Sequence, residues 1–127
     1  MTKRCITAPD APAPAGPYSH AVESGGFLYL SGQVALKPDG SGILRGTIEE
    51  ETRQVFANID TVLRASGATL GDVVKSLVFL DDIENFSAFN RVYREYFPDN
   101  PPARSCVQVA RLPGNAKVEI EVIAKVR

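Results

Sequence analysis

The sequence has one histidine, His20, two cysteines, Cys5 and Cys106, and no tryptophan. No Cys/His spacing resembles a zinc site, and no metal is expected. The two thiols fit a reducing, cytoplasmic setting. No apolar run approaches the roughly 20 residues that a membrane-spanning helix needs. The N-terminus, MTKRCITAPDAPAPAG, lacks the apolar centre of a secretory signal. Neither sign of charge dominates: 14 basic residues face 15 acidic ones, for a net charge of −1. Such a balance offers no general attraction to nucleic acid or to an anionic membrane. There is no repeat and no low-complexity tract.

What is present suits one domain over residues 1–127, with 44% hydrophobic residues and enough chain for a core without staples. Thr7 to Pro17 is rich in Ala and Pro and reads as an extended arm. Two strands follow, SHAVES and FLYLSGQV, and Gly25-Gly26 between them signals a hairpin. KPDGSG, residues 37–42, is a turn. Thr47 and Glu50 form a capping box at a helix whose apolar face carries Ile48, Val55, Ile59, Val62 and Leu63, and Gly67 stops it. DVVKSLVFL reads as a mostly buried strand. NFSAFNRVYREYF is a second helix, with Phe86, Phe89, Tyr93 and Phe97 on one side and Pro98 as its end. Strands over 104–110 and 117–126 flank a turn at Pro113-Gly114.

The order β-β-α-β-α-β-β predicts an α+β subunit, a mixed sheet with two helices on one face. The other face is then uncovered, and VVKSLVFL is too apolar to leave wet. The sheets of several subunits are expected to pack together.

Side chains alternate across a strand. Arg104, Cys106 and Gln108 share one face of the first late strand, and Glu119 and Glu121 share the polar face of the second. Aligning the two strands by their apolar faces places the arginine, the thiol and both glutamates together. Pattern alone favours a solvated charged face in which Arg104 pairs with a glutamate. Against it stand Pro101 and Pro102, which stiffen the approach to Arg104. Arginine grips a carboxylate with a planar fork, and a glutamate beside it can hold and deprotonate water. That pair suits hydrolysis of a small carboxylic acid. Cys106 reads as a packed thiol rather than a nucleophile, since no histidine is legible as its partner.

The remaining candidates stay open at this level. Tyr18, in GPYSH, is either a core aromatic or the lid of a pocket. His20 reads as satisfied or solvent-facing. Gly32, between Ser31 and Gln33, permits close backbone approach. Asn90 is either exposed or bonded to backbone.

Nearly the whole chain resembles the RidA (YjgF) family of small imine deaminases. The resemblance runs through APAPAGPYSHAV, LYLSGQV, TRQVFANIDTVLRASG and VVKSLVFLDDIENFSAFNRVYREYF, and is most specific in PPARSCV with LPGNAKVEIE. It implies a chorismate-mutase-like fold and a homotrimer with a central barrel-like core and pockets between subunits. It implies hydrolysis of 2-imino acids and their 2-enamino tautomers to 2-oxo acids and ammonia, with no cofactor, protecting pyridoxal-phosphate enzymes from damage. The substrates are 2-iminobutanoate and 2-iminopropanoate, which leak from dehydratases acting on threonine or serine.

By the same resemblance Arg104 binds the substrate carboxylate and Glu119, not Glu121, positions the attacking water. Tyr18, Ser31, Gly32, Asn90 and Cys106 line the ligand. His20 stands where many relatives have glutamine. Competing activities described in this family are ribonuclease or translation inhibitor, non-catalytic ligand sensor, holdase chaperone, and deaminase of compounds such as aminomuconate. The near-neutral charge argues against RNA, and a sensor has no use for a water-positioning glutamate.

Overall fold

The computed structural model describes residues 2–127. Its six strands form one sheet: β1 (Arg4–Ile6), β2 (Ala21–Ser24), β3 (Phe27–Leu30), β4 (Val73–Leu80), β5 (Ala103–Gln108) and β6 (Val118–Lys125). Two helices, α1 (Ile48–Ala65) and α2 (Phe86–Tyr96), complete it. The expected α+β architecture, with a mixed sheet and two helices, is the one found. An additional strand, β1, precedes the arm and pairs antiparallel with β2. Three residues reading RCI carry no periodicity of their own. Among the described residues no helix is long and apolar enough to cross a membrane.

Local chemistry accounts for the elements. Gly25 and Gly26 both adopt left-handed φ, +60° and +86°, which joins β2 to β3 in a two-residue turn. Thr47 Oγ1 accepts the Glu50 N–H at 3.1 Å, and Glu50 Oε1 accepts the Thr47 N–H at 2.8 Å. This closes the capping box at the start of α1. At the other end Gly67 donates to the Arg64 carbonyl and Ala68 to that of Leu63, the paired bonds of a left-handed helix stop. Phe56 stacks on Tyr96 at 4.3 Å between centroids and meets Tyr93 and Phe97 edge-on, which locks α1 to α2.

Strand order decides the site. The sheet runs β1-β2-β3-β6-β4-β5. β6 lies between β3 and β4, and β4 separates β5 from β6. β5 pairs with β4 in parallel, while β6 pairs with the other edge of β4 antiparallel. The two late strands are therefore not neighbours. Their faces follow from their common partner. Ser76 stands opposite both Arg104 and Val122, and Val78 opposite both Cys106 and Ile120. Phe79 stands opposite both Val107 and Glu119, and Leu77 opposite both Ser105 and Glu121. Partners across a ladder share a face. Arg104, Cys106 and Gln108 thus lie on the helix-covered face, with the buried Val118, Ile120, Val122 and Ala124. Glu119 and Glu121 lie on the opposite face.

This corrects the expectation that put all five on one side. That alignment assumed Val107 points into the core, yet Val107 is 47% exposed. The apolar alternation of β5 belongs to the uncovered face. Leu77, Phe79 and Ile123 are half-buried there, and Tyr29 is exposed beside them.

Candidate active site

On the helix side, α2 builds a cradle for Arg104. Asn90 Oδ1 accepts an N–H from Arg104 at 2.9 Å. The guanidinium carbon lies 4.6 Å from the Tyr93 ring centroid, with Phe86 and Phe89 at 5.6 and 5.8 Å. Rings face the cation with their electron-rich planes. The spacing 86, 89, 90, 93 brings all four side chains to one helix face. Tyr93 is itself fixed, its hydroxyl 2.6 Å from the buried Ser76 Oγ. Burial raises the Tyr93 hydroxyl above its ordinary pKa of 10, so it remains a neutral platform. No acidic side chain pairs with Arg104 among the described residues. A recess of about 230 Å³ opens between Asn90, Tyr93, Arg94, Phe97, Pro101 and Arg104.

Cys106 packs against the core beside this cradle. Burial pushes its thiol up from the ordinary 9.0, and the nearby Arg104 only partly offsets that. A thiol so held is a poor nucleophile at neutral pH.

On the other face a cavity of about 500 Å³ holds Glu119, Glu121, Ser31, Gly32 and Tyr18. Its floor is a bulge. Tyr29 pairs with Ile123 and Gln33 with Ile120, so three residues of the β3 side face two of β6. The bulge presents Gly32 to Glu119 with no side chain between. A Cβ on Gly32 would sit 2.1 Å from Glu119 Oε2. Ser31 Oγ donates to the Ser19 carbonyl at 2.7 Å, and the Tyr18 hydroxyl accepts the Ala15 N–H at 3.0 Å. Burial, then the like charge of Glu121, raises the Glu119 carboxyl above 4.5. A carboxylate tuned upward suits a group that takes and returns a proton near neutrality.

His20 is buried, with both nitrogens in use. Nδ1 accepts the Ala8 N–H at 2.9 Å, and Nε2, 2.7 Å from the Pro12 carbonyl, donates to it. It pins the arm that walls the cavity at Pro12, Ala13 and Ala15. Of the two readings the sequence leaves for His20, satisfied or solvent-facing, the structure shows the first, and its partners on the arm carry no signal in the sequence. Sequence reading missed the Tyr93 platform, placing Tyr93 only on the aromatic side of the second helix. Among the described residues no group of three or more His, Cys, Asp or Glu side chains is arranged for a metal ion.

Each chain thus carries, on one sheet face, a guanidinium that no acidic side chain pairs with among the described residues and, on the other, a carboxyl raised by burial. Residues 8–126 match the family model described as Endoribonuclease L-PSP. The chain belongs to this family, also called YjgF/RidA. A RutC family protein of Pyrococcus horikoshii is 45% identical over 96% of this chain and 97% of its own. The 2-iminobutanoate/2-iminopropanoate deaminase of Dermatophagoides farinae is 47% identical over 95% of this chain and 94% of its own. The crystal structure of E. coli TdcF with bound serine superposes with a TM-score of 0.91 at 35% identity, covering 98% of this chain and 99% of TdcF. The YjgF/RidA relatives therefore carry several names over one fold.

Proposed function

We propose that this YjgF/RidA chain is a hydrolytic deaminase of 2-imino acids whose site assembles between copies of a homotrimer. The observation that carries the reading is the split of Arg104 and Glu119 across the two faces of one sheet. A substrate small enough for both must meet them from different chains. The uncovered apolar face around Phe79 and Val107 is a ready surface for such contact. Deaminase-named relatives and the serine-bound TdcF fit a small carboxylate ligand.

Arg104 of one chain grips the substrate carboxylate. Glu119 of the next takes a proton from water as the water oxygen bonds to the imine carbon and the imine nitrogen takes a proton from solvent. The resulting carbinolamine loses its C–N bond. Glu119 returns the proton to the departing ammonia, the hydroxyl proton is released, and the 2-oxo acid remains. Cys106, Tyr18, Ser31, Gly32 and Asn90 line or brace the two halves. Orientation supplies much of the gain, because an imine is already electrophilic.

The test co-expresses Arg104→Ala and Glu119→Gln chains and measures 2-oxo acid release from 2-iminobutanoate made in situ by a threonine dehydratase. Each variant alone should be inactive. Random mixing should restore about one quarter of the parent's sites, since one site in four receives both intact residues. Zero recovery in mixed trimers would mean that one chain must supply both residues, and would overturn the shared site. Cleavage of RNA by the parent, abolished in Glu119→Gln, would favour the ribonuclease reading.

A further inference from the structure

The Glu119 cavity continues beyond its acidic end. Leu36 and Ile43 pair across an isolated antiparallel bridge, and Leu44 N–H bonds to the Ala35 carbonyl at 2.8 Å. Together they make a two-stranded ribbon, of which Leu36 and Ile43 line the same cavity, as does Pro113. Two observations make this wall rigid. The buried Asn58 of α1 donates to the carbonyls of Val34 and Leu36, at 3.2 and 2.9 Å. Ile43 sits on the bare backbone of Gly114, where a Cβ would lie 2.3 Å from Ile43 Cδ1.

We infer that Leu36 and Ile43 form a side-chain chamber that selects imino acids with a branched aliphatic chain of about four carbons. The inference rests on reading the Glu119 cavity as the imine site. A cavity of about 500 Å³ is in the range that holds a drug-sized ligand. The smallest 2-imino acids would fill only its acidic end. Among the described residues that line the cavity, the acidic side chains are Glu119 and Glu121, and Val34, Leu36, Ile43 and Pro113 offer only apolar surface to what extends beyond the reacting carbon. A rigid apolar wall discriminates by added methylenes, each worth about tenfold or more in a well-fitted pocket.

Calorimetric binding of two stable 2-oxo acids, pyruvate and 4-methyl-2-oxopentanoate, tests this without turnover. The isobutyl compound should bind the parent at least about tenfold more tightly. Leu36→Asn and Ile43→Asn should each bring the ratio near one, with thermal melts showing that the variants fold. If one variant fails to fold, the other decides. Equal affinities in the parent, or a ratio unchanged in a folded variant, overturns the chamber. Turnover of the two corresponding imines, made by an amino acid oxidase, is measured in parallel. Selective binding without turnover of either imine would remove the deaminase reading and leave the chamber standing.

Discussion

At the scale of single residues, position and titration separate the roles. Arg104 is held by Asn90 and Tyr93 with no acidic partner, so Arg104→Lys keeps the charge and loses the planar grip. A lost charge-assisted bond costs about 1.5–3 kcal/mol. Affinity for 2-oxobutanoate should therefore fall roughly 10- to 100-fold. Parental affinity in this variant would return Arg104 to a strand-end charge. Glu119 titrates above 4.5 in the folded chain, because of burial and then Glu121. The folded state thus holds this proton more tightly than the unfolded chain. The stability it contributes is present at low pH and is lost as pH rises from 4.5 through the raised folded value. Glu119→Gln should remove that loss, so its melting temperature should gain on the parent's between pH 4.5 and neutrality. In turnover, Glu119 must be ionised to accept a proton, which sets an acid limb in kcat/KM. Glu121→Gln removes the like charge and should move that limb to lower pH. A limb that stays put would assign it to another group.

At the scale of elements, His20 shows how one side chain holds a segment. Both its nitrogens bond the backbone of the arm, at Ala8 and Pro12. His20→Gln keeps one donor and one acceptor and should melt close to the parent. His20→Leu strands two buried backbone groups, at about 1–3 kcal/mol each. Its melting temperature should drop by several degrees, and the KM for 2-iminobutanoate should rise as the arm loosens around Tyr18. A His20→Leu chain as stable as the parent would show that the arm needs no such anchor. Most elements were legible in the sequence because their signals are local. The glycine pair, the Thr47–Glu50 box and the Gly67 stop each act within a few residues. Strand order is not local. Nothing in the spacing of Arg104 and Glu119 says that β4 inserts between their strands, so adjacency in sequence was taken for adjacency in space. The alternation in β5 was read correctly and assigned to the wrong face. Its apolar side looks outward, as suits a face awaiting a partner rather than a helix.

At the scale of the molecule, the proposed assembly makes the uncovered face the place where docking and activity would meet. Phe79 stands between Val107 and Glu119 on that face. Phe79→Glu and Val107→Glu place charge where another chain would dock in the proposed trimer, while leaving Arg104 and Glu119 in the sequence. Both should lower the mass in sedimentation equilibrium from about three subunits toward one, and both should lose turnover. Parental mass and activity in both variants would mean that the trimer uses another surface. The candidate residues could be named from the sequence, while their division between the two faces of the sheet could not. Gly32 illustrates the difference. Its glycine promised a close approach, but only the pairing of β3 with β6 shows that the Glu119 carboxylate is what approaches.

The bulge at Ser31-Gly32 makes this wall sensitive to length as well as to composition. With Ser31 deleted, the flanking pairs Tyr29–Ile123 and Gln33–Ile120 stand in unbroken register, and the ladder becomes more regular. Such a chain would keep the β3–β6 ladder but lose the Ser31 bonds to the Ser19 and His20 carbonyls, together with the outward step that brings Gly32 against Glu119. The ladder would stay in register while the cavity wall loses the Ser31 side chain and Gly32 moves away from Glu119. Loss of a residue from the exposed loop at 38–41 removes no such step. The same one-residue deletion would thus be silent at one point of the chain and disabling a few positions earlier.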